Sequence, residues 1–336
     1  MPRLRFAQLP TPLEEAANLS KYLGGPRILF KRDDLTASAL GGNKVRKLEF
    51  ILGRIVSEGY DTLIVPGGYQ SNMARISAAL ANKLGLNVEL VLGGAPEEAI
   101  NNNGNLLLEH LLGANITYVN TVPRWDFGSA LDDLKEKLQA DGLKPYLLPL
   151  GGSSPEGMAG YVEATLELKE QCRLQSVKPD RLFVAIGSGG TYSGLLLGAL
   201  NNDVGYEVTG ISVSRTRDYL LEKVPENVDH GASLLDMKSF SASSRLSIYD
   251  EYIGDSYGAM TDECKEAIQL VAKTEGVFLD PVYSGKCMAG MIDLIQKGEV
   301  GRKETVIFLH TGGWPALFAY ESDLIKTSAA NVAKIA

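Results

Sequence analysis

Two loops in the chain have the make-up of anion-binding turns, and one lysine sits where an amine could be activated. Leu63-Ile64-Val65-Pro66-Gly67-Gly68-Tyr69-Gln70-Ser71-Asn72 and Phe183-Val184-Ala185-Ile186-Gly187-Ser188-Gly189-Gly190-Thr191 share one form: an apolar strand, then glycines with small hydroxyl or amide residues, then a helix. At a helix N-terminus the unpaired N–H groups and the dipole favour an anion, and glycine lets the backbone close on it. Each loop could hold a phosphate or a carboxylate. Upstream, Gly41-Gly42-Asn43-Lys44 reads as a sharp turn, a capping asparagine and a lysine in the first turn of a helix running through Ile55. A helix N-terminus disfavours the ammonium form and lowers the amine's pKa, which suits an amine that attacks a carbonyl to form an imine.

Taken singly, each feature has a plainer reading: a βα turn that needs glycine for its geometry, or a solvated helix lysine. Two such loops beside such a lysine favour binding. The second loop runs Gly187-x-Gly189-Gly190-x3-Gly194, with Tyr192 where a dinucleotide fingerprint needs glycine and no P-loop lysine after it, which argues against NAD and ATP. The cysteines, Cys172, Cys264 and Cys287, form no CxxC, and His110, His230 and His310 are far from them in sequence. A zinc site and a disulfide scaffold are poor fits.

The elements that must position these residues follow from pattern. The chain has 336 residues, 45% apolar and 22% charged, enough for a large core and two domains. Lys plus Arg number 33 against 41 Asp plus Glu, a net charge of −8, and no long basic run occurs. Nucleic acid and an anionic membrane surface are therefore not expected partners. The N-terminus lacks the apolar stretch of a signal peptide and no window approaches a membrane span, so a cytoplasmic protein is expected. From about residue 60, β-branched runs alternate with helical patterns, the mark of βαβ units. The patterns predict strands at 62–65, 88–92, 116–119, 146–148, 182–186, 208–213 and 305–310, and helices at 72–84, 103–112, 127–140, 158–172, 192–200, 262–275 and 286–296. The glycine-rich stretch Pro149–Gly157 reads as the crossing between two series.

The string Lys31-Arg-Asp-Asp-Leu-Thr36 with Gly41-Gly-Asn-Lys-x-Arg-Lys-Leu-Glu49 resembles the D-cysteine desulfhydrase and 1-aminocyclopropane-1-carboxylate deaminase family of pyridoxal-phosphate enzymes. Gly67-Gly-x-Gln-Ser-Asn72, Ala185-x-Gly-Ser-Gly-Gly-Thr191, Leu279-Asp-Pro-Val-Tyr-Ser-Gly-Lys286 and His310-Thr-Gly-Gly313 extend the resemblance, in the family's order, over nearly the whole chain. Each motif alone is weak, whereas five in order are poorly explained by chance. The resemblance implies an α/β, two-domain, tryptophan-synthase-β-like fold (fold type II), with parallel-rich open sheets and helices on both faces. It implies a large cofactor-binding domain of residues 1–46 plus 158–336, a small domain of 47–157, and a homodimer.

Carried over position by position, the resemblance makes Lys44 the residue that binds pyridoxal 5'-phosphate covalently, with Ser188, Gly189, Gly190 and Thr191 holding the phosphate. Ser71 and Asn72 would take the carboxylate of a small amino-acid substrate, and Asn72 would also reach the cofactor's phenolic oxygen. Tyr283 would flank the ring and substrate, Tyr257 would lie near the reacting carbon, and Thr311 would face the pyridine nitrogen. Met73 stands where the family usually has a polar residue, so a less polar pocket is expected if it faces the substrate. Ser284 stands where the deaminase branch has a glutamate facing the ring nitrogen. The implied activity is α,β-elimination, with D-cysteine going to pyruvate, ammonia and sulfide. The alternatives are opening of 1-aminocyclopropane-1-carboxylate to 2-oxobutyrate and ammonia, and a noncatalytic metabolite-binding relative.

Overall fold

The computed structural model describes residues 1–94, 102–120, 127–239 and 245–325. The chain begins with β1 (Leu13–Glu15), α1 (Ala17–Leu23), β2 (Arg27–Lys31) and α2 (Lys44–Ser57). It continues with β3 (Thr62–Gly68), α3 (Asn72–Leu84), β4 (Asn87–Gly93), α4 (Asn105–Leu111), β5 (Asn115–Val119), α5 (Ala130–Ala140) and β6 (Pro145–Leu147). A second series runs α6 (Pro155–Leu174), β7 (Arg181–Ile186), α7 (Gly190–Asn202), β8 (Glu207–Ser212), α8 (Arg217–Leu235), β9 (Ser247–Tyr249), α9 (Asp262–Glu275), α10 (Ser284–Gln296), β10 (Thr305–Leu309) and α11 (Glu321–Ile325).

These elements form two sheets. One is four-stranded and parallel throughout, in the order β5-β4-β3-β6. The other is six-stranded in the order β1-β2-β10-β7-β8-β9, parallel except for the antiparallel β1–β2 pair. Parallel strands need crossover helices, which cover both faces, so their sequences read as continuous apolar runs. Leu63, Ile64 and Val65 of β3 and Leu182, Phe183 and Val184 of β7 are fully buried accordingly. Residues of α6, α7 and α8 pack on one face of the large sheet and residues of α1, α9 and α10 on the other. In the small sheet α2 and α3 cover one face and α5 the other.

Topology places the glycine loops. From β3 the chain proceeds outward to β4 and β5, while β6 lies on its other side; from β7 it proceeds to β8 and β9, while β10 and β2 lie on the other. The carboxyl end of a strand where the order reverses opens a crevice between diverging connections. Gly67–Asn72 follows β3 and Gly187–Thr191 follows β7, so both loops sit at such ends.

Pro149–Gly157, read as the crossing, follows β6 of the small sheet and precedes β7 of the large one; a short 3-10 turn spans Leu150–Gly152, and α6 begins at Pro155 behind the Ser154 cap, whose hydroxyl accepts from Gly157 N at 3.1 Å. Other expectations need correction. Helix α8, capped by Thr216, escapes the pattern reading because Pro225 lies inside it. The strands β1, β2 and β9 were not expected either, being two three-residue strands and one five-residue strand. Asn43 makes no side-chain cap to α2; its amide nitrogen instead donates to Thr191 Oγ1 at 3.1 Å.

Candidate active site

Lys44 opens α2 because the backbone before it turns sharply. Gly41 and Gly42 have φ of 71° and 128°, and a Cβ on Gly41 would lie 1.9 Å from the Asp34 carbonyl oxygen, so no other residue fits. A buried charge cluster fixes the rest of that helix. Arg46, two residues after Lys44, donates from Nε to Asp33 Oδ2 at 2.9 Å and from Nη2 to Glu167 Oε1 at 2.8 Å, and Tyr161 donates to Asp33 Oδ2 at 2.7 Å. Lys31 joins Glu167 as well. Burial alone would raise the Asp33 pKa, but the Arg46 guanidinium and Lys31 hold it below the usual carboxylate range.

Among the described residues, Lys44 has no acidic partner. Its Nζ lies 3.4 Å from the Gly151 carbonyl oxygen, and burial lowers its pKa to about 8. Desolvation, not the helix dipole, is thus the source of the activation expected from sequence. Lys47 lies one turn on; its Nζ donates to the same Gly151 oxygen at 2.7 Å, and burial followed by repulsion from Lys44 holds it well below the ordinary lysine value.

The β7–α7 loop faces these lysines. The Gly189 backbone is left-handed and α7 starts at Gly190, so the helix presents its free N–H groups at this loop. Ser153 braces it, accepting from Gly190 N at 3.1 Å and donating to Ser188 Oγ at 2.7 Å. On the facing loop, Ser71 is the N-cap of α3 and accepts from Ala74 N at 3.1 Å. Asn72 follows as the first residue of that helix, and its Oδ1 accepts from Asn105 Nδ2 at 2.9 Å.

The end of β10 closes a third side. Asn43 N donates to Thr311 O at 3.0 Å, and a Cβ on Gly312 would meet Gly42 Cα at 2.7 Å, so His310–Gly313 packs directly on the lysine turn. Tyr283, the residue before α10, joins Tyr257 hydroxyl to hydroxyl at 2.7 Å. Burial pushes Tyr283 up to about 12, and burial with the adjoining Tyr283 raises Tyr257 well above the ordinary phenol value, so both are neutral phenols at neutral pH.

Every residue proposed from sequence for the site borders one cleft of roughly 820 Å³: Lys44, Ser71, Asn72, Met73, Ser188, Gly189, Gly190, Thr191, Tyr257, Tyr283 and Thr311. Met73 is 2% exposed and packs among the apolar residues beneath α2 and α3, so it belongs mainly to the core. Ser284 does not border the cleft. Its hydroxyl donates to Asp280 Oδ1 at 2.6 Å and accepts from Asp280 N at 2.7 Å, so it cannot face a ring in the cleft as the sequence comparison supposed. Sequence reasoning missed Lys47, Ser153 and the cleft-lining Ser214 and Arg215. For Lys47 a signal existed, since i and i+3 share a helix face.

The donor set fits pyridoxal phosphate. An amine whose pKa burial lowers to about 8 is available for the aldehyde, a glycine-opened helix N-terminus and hydroxyls for a dianionic phosphate, and neutral hydroxyl and amide groups for the ring. Comparison with known proteins agrees with this chemistry. The family described as "Pyridoxal-phosphate dependent enzyme" matches residues 4–312. A crystal structure titled as that of an ACC deaminase homologue is 37% identical, with a TM-score of 0.89, over 97% of this chain and 96% of that one. The processed form of threonine deaminase isoform 2 from Solanum lycopersicum shares the fold at 16% identity and a TM-score of 0.64, over 90% and 79%. A pyridoxal 5'-phosphate-dependent aspartate racemase does so at 14% and 0.63, over 90% of each. The chain belongs to the pyridoxal-phosphate dependent enzyme family, with the fold type II architecture and pyridoxal phosphate as its cofactor. Within it, this chain is similar to the ACC deaminase homologue over nearly its whole length.

Proposed function

We propose that the enzyme catalyses α,β-elimination on a small β-substituted amino acid, with D-cysteine as substrate, releasing pyruvate, ammonia and sulfide. Bound in the cleft, pyridoxal phosphate would supply an electron sink for the pair left at the substrate Cα. The chain's own residues then have separate tasks. Lys44 carries the cofactor, and its desolvated amine, with a pKa of about 8, is suited to take the Cα proton. The N–H groups at Ser188–Thr191 hold the phosphate, and Ser71 and Asn72 orient the substrate carboxylate so that the bond to be broken stands across the ring. Tyr283 and Tyr257, neutral and linked to each other, wall the leaving-group side.

One observation carries the choice of reaction: among the described residues, no Asp or Glu lines the cleft. The nearby carboxylate of Asp280 is turned away, accepting from Val282 N at 3.0 Å, Tyr283 N at 2.9 Å and Ser284 N at 2.7 Å. Thr311 is then the neutral partner for the ring nitrogen. Lacking a charged hydrogen bond there is worth roughly 1.5–3 kcal/mol, a ten- to hundredfold handicap for a demanding step such as cyclopropane opening. Thiolate is a good leaving group and asks less of the ring. The resemblance also implies that the enzyme works as a cytoplasmic homodimer.

The test is kcat/KM for D-cysteine and for 1-aminocyclopropane-1-carboxylate on one cofactor-loaded preparation, following pyruvate, 2-oxobutyrate, sulfide and ammonia separately. Pyruvate and sulfide are expected to dominate. Faster 2-oxobutyrate from the cyclopropane acid than pyruvate from any β-substituted alanine overturns the reading in favour of the deaminase activity.

A further inference from the structure

Asn72 offers the cleft an amide whose two ends differ: the oxygen accepts and the nitrogen donates. Which end faces the cleft is decided by residues buried behind it. Arg75, on the next turn of α3 and 1% exposed, carries a guanidinium, which only donates. Its Nη2 donates to the Gly41 carbonyl at 2.9 Å and its Nη1 to Asn105 Oδ1 at 2.7 Å. Asn105 is fully buried at the start of α4. Its Nδ2 donates to the Gln70 main-chain carbonyl at 2.9 Å, and its N–H donates to Gln70 Oε1 at 2.8 Å.

Two contacts of opposite kind therefore fix the Asn105 amide. Reversing it would set nitrogen against the donor Arg75 and oxygen against the acceptor Gln70, leaving buried groups without partners. The other hydrogen of Asn105 Nδ2 goes to Asn72 Oδ1 at 2.9 Å. The Asn72 oxygen is thereby used, which leaves the nitrogen as the other end of an amide that borders the cleft; a Cβ added to Gly313 would lie 2.9 Å from that nitrogen and 2.7 Å from Asp280 Cγ. Among the described residues no protein acceptor meets that nitrogen.

We propose that Arg75 and Asn105 are positioning residues that set the polarity of the Asn72 amide, so that the cleft presents a donor to an anionic oxygen. That oxygen belongs either to the cofactor ring or to the carboxylate of the amino acid. The donor-only guanidinium is the fixed end of this relay, and each amide passes its sense to the next. Arg75 ties the relay to the lysine turn as well, through the Gly41 carbonyl. The inference rests on the cleft as the cofactor and amino-acid site and does not depend on which β-substituent leaves.

Asn105→Asp tests it. The shape is kept and an oxygen still meets Arg75, but the second position can now only accept, which turns the Asn72 nitrogen inward and its oxygen toward the cleft. Cofactor-free wild type and variant are titrated with pyridoxal phosphate and with its 3-deoxy analogue, which lacks the ring oxygen. The loaded proteins are then titrated with D-alanine and D-alaninamide. If the partner is the ring oxygen, the variant loses about 10- to 100-fold in affinity for pyridoxal phosphate and little for the analogue. If it is the carboxylate, both cofactors bind as in wild type and D-alanine weakens by a similar factor while D-alaninamide does not.

Asn105→Ala frees Asn72 to rotate and should show the same selectivity at smaller size. In an Asn72→Ala background Asn105→Asp should add no selective loss. Equal weakening of both members of each pair, or no change in any, overturns the proposal, since a merely structural role for Asn105 gives no preference between them. A wild-type protein that shows these selectivities but eliminates nothing from D-cysteine would sink the proposed reaction and leave the relay standing.

Discussion

At the scale of single residues, Lys44 is the residue proposed to carry the cofactor, and its setting makes two measurable demands. Lys44→Ala should lose the visible absorbance of the bound cofactor together with turnover. Borohydride reduction and peptide mapping of the wild type should put the label on Lys44; a label on Lys31, Lys47 or Lys286 would refute the assignment. Burial lowers the Lys44 pKa to about 8. The amine must be neutral to attack the aldehyde, so uptake of pyridoxal phosphate by the cofactor-free protein should accelerate as pH rises through about 8 and level off above it. A midpoint near the ordinary lysine value would mean that Lys44 is solvated. The lysine turn was legible in sequence because glycine has one use there, a positive φ with close backbone approach. The role of Asn43 was not, since its bond to Thr191 joins residues 148 apart in sequence.

Among elements, α2 matters most, because it carries Lys44 and Lys47 at one end of the cleft. The buried Arg46–Asp33 pair ties it to the 3-10 turn after β2, and Glu167 extends the tie to α6. Asp33→Asn keeps the shape but leaves Arg46 short of a charge in a buried site. We expect about 3–5 kcal/mol of lost stability by urea denaturation, within the range for breaking one side of a buried pair. The loss should shrink at low pH in the comparison with wild type. Asp33 is held below its unfolded pKa, so its stabilising effect is present above that value and fades as pH falls toward the folded one. A change under 1 kcal/mol at neutral pH would show that the cluster is not holding the helix. The motif Lys31-Arg32-Asp33-Asp34 drew notice as part of the family pattern, yet its work is to anchor the helix that presents the lysine.

For the whole molecule, the cleft lies where the two sheets bring loops together: Gly67–Asn72 from one, Gly187–Thr191 and Thr311 from the other, with Lys44 between. A ligand that binds there, and not to the unfolded chain, stabilises the folded state by RT ln(1 + L/Kd), where L is its free concentration. Saturation at 100 times the dissociation constant is worth about 2.7 kcal/mol. For a chain of this size that corresponds to a rise in Tm of a few degrees. Removing the cofactor should lower Tm accordingly and adding it back should restore the value; Lys44→Ala should respond much less. No response in the wild type would mean that the folded chain does not take up the cofactor, and an equal response from Lys44→Ala would place it outside this cleft.

Some of this was fixed locally. Alternating β-branched and helical runs point to βαβ units from local pattern, and a glycine-rich strand-to-helix turn offers room for an anion that a second such loop and a nearby lysine give weight to. The strands β3, β4, β7 and β8 and the helices α3, α9 and α10 were therefore readable from periodicity, whereas Met73, Tyr257, Tyr283 and Thr311 were expected at the cleft from the family resemblance. The tertiary structure decided what depends on distant partners. It turned Met73 into the core and Ser284 onto Asp280, and it brought Lys47 and Ser153 to the β7–α7 loop. It also set Arg75 and Asn105 behind Asn72. A side chain's direction and an amide's polarity are properties of the groups that face it, and those groups come from elements tens to hundreds of residues away.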